Sequence, residues 1–211
     1  EGEHTLAVNG VSGSMVIRSI RVYAAEEAPT YEEVVAEYEA NGYKSASADS
    51  VIKIQAEYPS ATSDSSIYAL NDRTSAINEP QDATIVYLNS IGGSKWQSYG
   101  QWIEWQIEVP ESGLYEIATR FKQDTMAGMY VTRKLLIDGE LPFKEAGEIT
   151  FNYGSNWQSQ AIGSVVEKTT KNWLGKEKIE KEIVPYQFYL EEGVHTIRVE
   201  VVLGDMADIL R

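Results

Sequence analysis

The 211-residue chain reads as an all-β protein, an antiparallel β-sandwich with a short helix near its start. Three observations predict this. Short runs of alternating apolar residues recur between turn signals such as Glu111-Ser112-Gly113, Asp138-Gly139 and Glu191-Glu192-Gly193, as strands joined by tight turns do. Helical start and stop signals flank only residues 31–40, so the strand-helix alternation of an α/β fold is missing. The composition, 43% apolar and 24% charged, allows a buried core, while no apolar run reaches the roughly 18 residues of a membrane span.

The elements follow in order. Leu6, Val8, Val16, Ile20 and Val22 mark strands within the first 23 residues, interrupted by the Gly-Ser run 9–14. Thr30-Tyr31-Glu32-Glu33 is a capping box, in which a Thr oxygen and a Glu carboxylate satisfy the free N–H groups of a helix start. It predicts an amphipathic helix over Tyr31–Ala40, with Val34, Val35 and Tyr38 on one face and a stop at Asn41-Gly42. Ser45–Ser50 reads as the end of a linker, and Ile52 and Ile54 begin a strand. A polar stretch over 60–82 precedes Trp102–Val109, which places Ile103, Trp105, Ile107 and Val109 on one face. Further strands are expected at Leu114–Lys122, Val131–Ile137, Tyr186–Leu190 and His195–Val202. Between them, Gly163–Pro185 is rich in Lys and Glu, with Trp173 and Leu174 at its centre, and reads as a solvated hairpin or loop.

Glu1-Gly2-Glu3-His4-Thr5-Leu6 is echoed by Glu192-Gly193-Val194-His195-Thr196-Ile197, each ahead of an apolar strand. A motif repeated at such a distance suggests two copies of one module. Residues 1–25 are then the last strands of a preceding β-sandwich, 26–48 a helical linker and 49–211 a whole module. Both histidines, His4 and His195, occupy a structural position after a tight turn.

Composition removes several function classes. A net charge of -14 works against phosphate backbones and anionic lipid surfaces, so neither a nucleic-acid partner nor direct membrane insertion is expected. Without cysteine there is no disulfide, thiol nucleophile or zinc ribbon, and two histidines leave little for a Ser-His-Asp triad. No glycine loop cradles phosphate and no Gly-x-Ser-x-Gly elbow occurs. The 13 Tyr and 5 Trp against 4 Phe favour half-wet surfaces, or edge positions of a sheet core.

Gly100-Gln101-Trp102-Ile103-Glu104-Trp105, followed by Val109-Pro110-Glu111-Ser112-Gly113-Leu114-Tyr115, resembles the signature of carbohydrate-binding modules of families 6 and 35. The resemblance extends to Ile52-Lys53-Ile54-Gln55-Ala56-Glu57, Leu136-Ile137-Asp138-Gly139 and the 192–197 motif, in the family's order across 51–211. It implies an antiparallel jelly roll of the galactose-binding-like type, non-catalytic and extracellular. More broadly, a β-module ending, a Tyr-Glu-Glu helix and a second β-module are similar to the N-terminal halves of extracellular solute-binding lipoproteins of Gram-positive sugar ABC transport systems.

In such modules an aromatic ring stacks on the C–H face of a sugar while polar side chains bond its hydroxyls. The resemblance puts Trp96, with Tyr99 beside it, at the first loop aromatic, and Trp157 at the second, with Asn152, Tyr153 and Asn156 as hydroxyl partners. Packing against the sandwich edge is the other role open to these rings. Trp102 is expected to be structural and Trp105 to face the core, while Met206 departs from the family's polar sugar contact. The resemblance also implies a structural Ca²⁺ on Gln55, Glu57 and Asp208; hard oxygen donors two residues apart on a strand face suit that ion.

The function expected from the sequence is therefore carbohydrate binding without catalysis, at the surface of a bacterial cell or outside it, with a glycan and the neighbouring modules of a longer chain as partners. The alternative is a structural or interaction sandwich of a solute-binding protein that has lost its sugar site.

Overall fold

The computed structural model describes Thr5 and residues 27–202, apart from 77, 126 and 172. The strands read in residues 6–22, the expected module ending at 1–25, His4, Met206 and Asp208 fall outside the described residues. Helix α1 (Tyr31–Asn41) precedes β1 (Ala61–Thr62), β2 (Ala69–Leu70), β3 (Ser90–Ile91), β4 (Trp102–Val109), β5 (Gly113–Glu116), β6 (Ala118–Gln123) and β7 (Tyr130–Ile137). Then come β8 (Ile149–Asn152), β9 (Gly154–Ala161), β10 (Gly163–Lys171), β11 (Glu177–Pro185), β12 (Gln187–Leu190) and β13 (Gly193–Val201).

One layer is a five-stranded antiparallel sheet in the order β1-β4-β13-β7-β8. Facing it are the pairs β5-β12 and β6-β9, while β2-β3 and β10-β11 pair separately. The chain is thus an all-β sandwich, as the sequence predicts. Ile107, Val109, Leu135 and Ile197 from the large sheet meet Ile162, Tyr186, Phe188 and Leu190 from the other layer in one core. Strand β4 shows why: Ile103, Ile107 and Val109 are buried, while the intervening positions carry Glu104, Gln106 and Glu108. Trp105 shares the inward parity, and its indole N–H donates to the Ala56 carbonyl at 2.9 Å.

The run Leu114–Lys122, expected as one strand, divides at Ile117. Upstream it pairs with β12 and downstream with β9, and the Ile117 carbonyl accepts from the Ile162 N–H at 2.8 Å. Tyr115, Ile117 and Phe121 nonetheless pack on the same core, so the inward parity carries through the corner, with Thr119 as its polar member.

Helix α1 forms with both halves of its capping box, Glu33 N–H to Thr30 Oγ1 and Thr30 N–H to Glu33 Oε2, and ends at Gly42 in the left-handed conformation at φ 69°. It closes the exposed edge of β12: the Tyr31 hydroxyl accepts from Gln187 N–H at 2.9 Å and the Tyr38 hydroxyl from Tyr189 N–H at 3.3 Å. Val34 enters the core, and the Tyr31 ring lies against Phe143 and Tyr186. Downstream, Ala46 lies so close to Gly113 that a Cβ there would come within 2.9 Å of the Ala46 amide nitrogen. The segment read as a linker is therefore packed into the sandwich.

Candidate functional site

Strand direction decides which loops share an end. β6, β8 and β13 finish, and β4, β7 and β9 start, at the same end of the sandwich. Bonds between the loops confirm it: Gly100 N–H donates to Val201 O at 3.0 Å and Tyr153 N–H to Met129 O at 2.9 Å. All six residues expected to bind sugar lie at or near this end. They divide, however, between two separate settings.

Trp96 follows a 3-10 turn at Gly93–Lys95, and its ring is already occupied. The Arg133 guanidinium sits 4.4 Å from the ring centroid, and Arg133 Nη2 donates to the Trp96 carbonyl at 3.1 Å. The indole N–H donates to the Gln101 carbonyl at 3.2 Å. Gly92, at φ 98°, comes so near the ring that a Cβ would lie 3.0 Å from it. Burial pulls the Arg133 guanidinium down to about 10, which leaves it cationic at neutral pH. A sugar therefore finds one face of Trp96 covered. Tyr99, on the same loop, is 65% exposed.

Trp157 differs from its expected loop position, because it sits within β9, opposite a register irregularity between Phe121 and Gln123. The ring is half-buried, and its N–H, shielded from solvent, faces the Asp72 carboxylate without closing a hydrogen bond. Asp72 accepts from the Thr74 N–H at 2.7 Å and hydroxyl at 2.5 Å, and lies 3.5 Å from the Lys122 ammonium. Burial works to raise the Asp72 pKa, but the Thr74 bonds, Lys122 and the Trp157 indole together outweigh it and hold the carboxyl below its ordinary value. Lys122 also pairs with Asp124 at 3.0 Å; that bond raises its pKa against the opposing pull of burial. Asn89 fixes the Asp72 loop, accepting from Asp72 N–H at 2.8 Å and donating to the Asp72 and Pro80 carbonyls.

Asn152 ends β8, Tyr153 crosses from one layer to the other, and both side chains are exposed. Asn156, the strand neighbour of Trp157, is exposed too. Sequence reasoning missed Asp72, Lys122 and Asp124; the available signal was the Asp72-Arg73-Thr74 turn pattern, which marks a carboxylate held by its own backbone.

The expected metal residues also depart from a strand face. Tyr58 N–H bonds the Gln55 carbonyl at 3.1 Å, making 55–58 a turn, which the Trp105 indole fastens through Ala56. Glu57 is only 4% exposed, and its Oε1 is buried with no hydrogen-bond partner. Among the described residues no group of three or more His, Cys, Asp or Glu gathers around a common point. His195 has the expected structural role: Nδ1 meets Asp138 Oδ2 at 2.6 Å and Nε2 meets the Glu191 carbonyl at 2.9 Å.

No family model and no curated protein matches the chain. Among solved structures, it is similar to the cycloisomaltooligosaccharide glucanotransferase of Paenibacillus sp. complexed with cycloisomaltoheptaose, at 18% identity and a TM-score of 0.43, over 82% of this chain and 21% of that one. The chain thus spans about a fifth of that enzyme's length. It is also similar to a family 35 carbohydrate-binding module from Clostridium thermocellum, at 17% identity and a TM-score of 0.39, over 65% of this chain and 80% of that one.

Proposed function

We propose that the chain is a non-catalytic carbohydrate-binding module of a secreted or surface-attached bacterial protein that handles glycans. The observation that carries this reading is the β8–β9 corner, where exposed Asn152 and Tyr153 stand one short strand segment from Trp157, Asp72 and Lys122. Four residues of strand span about 13 Å, a distance that an oligosaccharide bridges. Rings at both ends offer stacking faces, and the amide, carboxylate and ammonium groups offer hydroxyl partners. The sequence resemblance to carbohydrate-binding modules supports the same conclusion, and the proposal places the module beside others in a longer surface protein.

A glycan array with the 211-residue chain tests the proposal. Binding of at least one plant, fungal or bacterial glycan is expected; a blank array would favour a scaffold sandwich that positions other domains. The Arg133 cap on Trp96 is the observation that favours this second reading.

The proposal includes a structural Ca²⁺ at Glu57. Its buried, partnerless carboxylate oxygen fits a hard cation, with Gln55 in the same turn and Asp208 as the implied third side chain. A bound ion would neutralise that carboxylate and fasten the 55–58 turn. Chelator is then expected to lower the melting temperature, and calcium to restore it. A melting temperature indifferent to both would remove calcium from the proposal.

A further inference from the structure

Strands β10 and β11 form an arm with a charge unlike that of the rest of the molecule. Nine residue pairs join them, from Gly163↔Pro185 to Lys171↔Glu177, and both of its faces are open to solvent over most of its length. At the tip Trp173 is 90% exposed and Leu174 60% exposed. Residues 163–185 hold five lysines against four glutamates, a formal +1 in a chain of -14, and the excess gathers at the tip, where Lys171, Lys176 and Lys178 stand beside Glu177, with Lys171 paired to Glu177 and Lys178 to Glu180.

We propose that this tip docks on an anionic lipid surface. An exposed Trp beside a Leu, ringed by lysines, suits the interface of such a membrane: the indole and the isobutyl group enter the headgroup boundary, and the ammonium groups meet lipid phosphates. The acidic excess of the whole chain opposes this only at short range. A nine-residue strand is about 30 Å long, whereas charge is screened within about 8 Å at physiological salt. The arm therefore holds a basic, apolar tip several screening lengths from its root, which removes the objection that net charge raises. No helix among the described residues is long and apolar enough to cross a membrane, so the contact proposed is peripheral.

Co-sedimentation of the 211-residue chain with vesicles of phosphatidylcholine, alone or mixed equally with phosphatidylglycerol, tests the proposal. Binding to the mixed vesicles only, weakened by high salt, is expected. It should fall at least about tenfold in W173A/L174A, which loses the two inserted side chains, and fall again in K171S/K176S. Both variants alter an exposed tip and should melt like the parent chain. Absence of binding, equal binding to neutral vesicles, or binding that survives W173A/L174A would overturn the proposal. So would finding that the tip instead drives self-association, seating on the acidic surface of a second copy.

Discussion

The two ends of the sandwich are built on different terms. At the end that carries the β7 and β12–β13 turns, polar groups are matched to one another. Asp138, at φ 52°, and Gly139, at φ 83°, make the two-residue turn that their dipeptide predicts, and the Asp138 carboxylate takes both the His195 ring and the Thr196 N–H. Nearby, Glu111 binds Ser47 and Ser50, and Ser112 accepts from Glu192 N–H at 2.8 Å. Towards the opposite end Tyr99, Asn152 and Tyr153 stand exposed, and Trp157 Nε1, Arg133 Nε and Gln158 Nε2 are buried without a hydrogen-bond partner. Buried polar groups in folded proteins are nearly always paired. The proposed function assigns the ligand to the end with exposed rings and unpaired polar groups, and the stability of the fold to the end that pairs them.

Substitutions in the packed half should therefore affect stability and those at the open end should affect binding. Phe143, fully buried between Tyr31, Tyr186 and Phe188, gives the largest effect. Phe143→Ala is expected to cost about 3–5 kcal/mol in denaturant unfolding. The double variant Y31F/Y38F keeps the rings but removes both acceptors from the β12 edge, and an expected loss of about 1–3 kcal/mol would show that the helix acts as an edge cover.

The smallest effect is that of pH on the His195–Asp138 clamp. Both ring nitrogens face acceptors, so the geometry favours imidazolium, and the bond to Asp138 raises the His195 pKa against a smaller opposing effect of burial. Burial pushes Asp138 up, but the Thr196 N–H and His195 outweigh it and hold it low. The histidine's contribution is complete below its unfolded value of about 6.5 and is lost as pH rises through its raised folded value; the aspartate's is complete above about 3.9 and is lost as pH falls through its lowered one. The clamp is thus strongest between these limits. Because Asp138 is half-exposed, screening leaves only a modest effect: the melting temperature should drop by about 2 °C between mildly acidic and alkaline pH. His195→Gln should lack that drop.

The same contrast explains what the sequence disclosed. The capping box, the Asp138-Gly139 turn and the alternation of β4 are local signals, and each predicted its element. Strand β9 has none: Gly-Ser-Asn-Trp-Gln-Ser-Gln-Ala lacks apolar alternation and is a strand because β6 pairs with it. The turn at 55–58 is set by the Trp105 indole, some 50 positions away, and so a strand was expected there. At the site, the exposed residues of the β8–β9 corner were legible as residue types. The meeting of Asp72, Lys122 and Trp157 was not, because three distant segments supply it. Nor could the chain order show that Arg133 covers Trp96.

The most direct measurement is calorimetric titration of a glycan bound by the parent chain into Trp157→Ala and Trp96→Ala. The expected result is at least a tenfold loss of affinity in Trp157→Ala with its fold intact. Folded Trp96→Ala should instead bind normally and melt at a lower temperature. Unchanged affinity in Trp157→Ala, or lost affinity in folded Trp96→Ala, would contradict the assignment of the ligand to the β8–β9 corner.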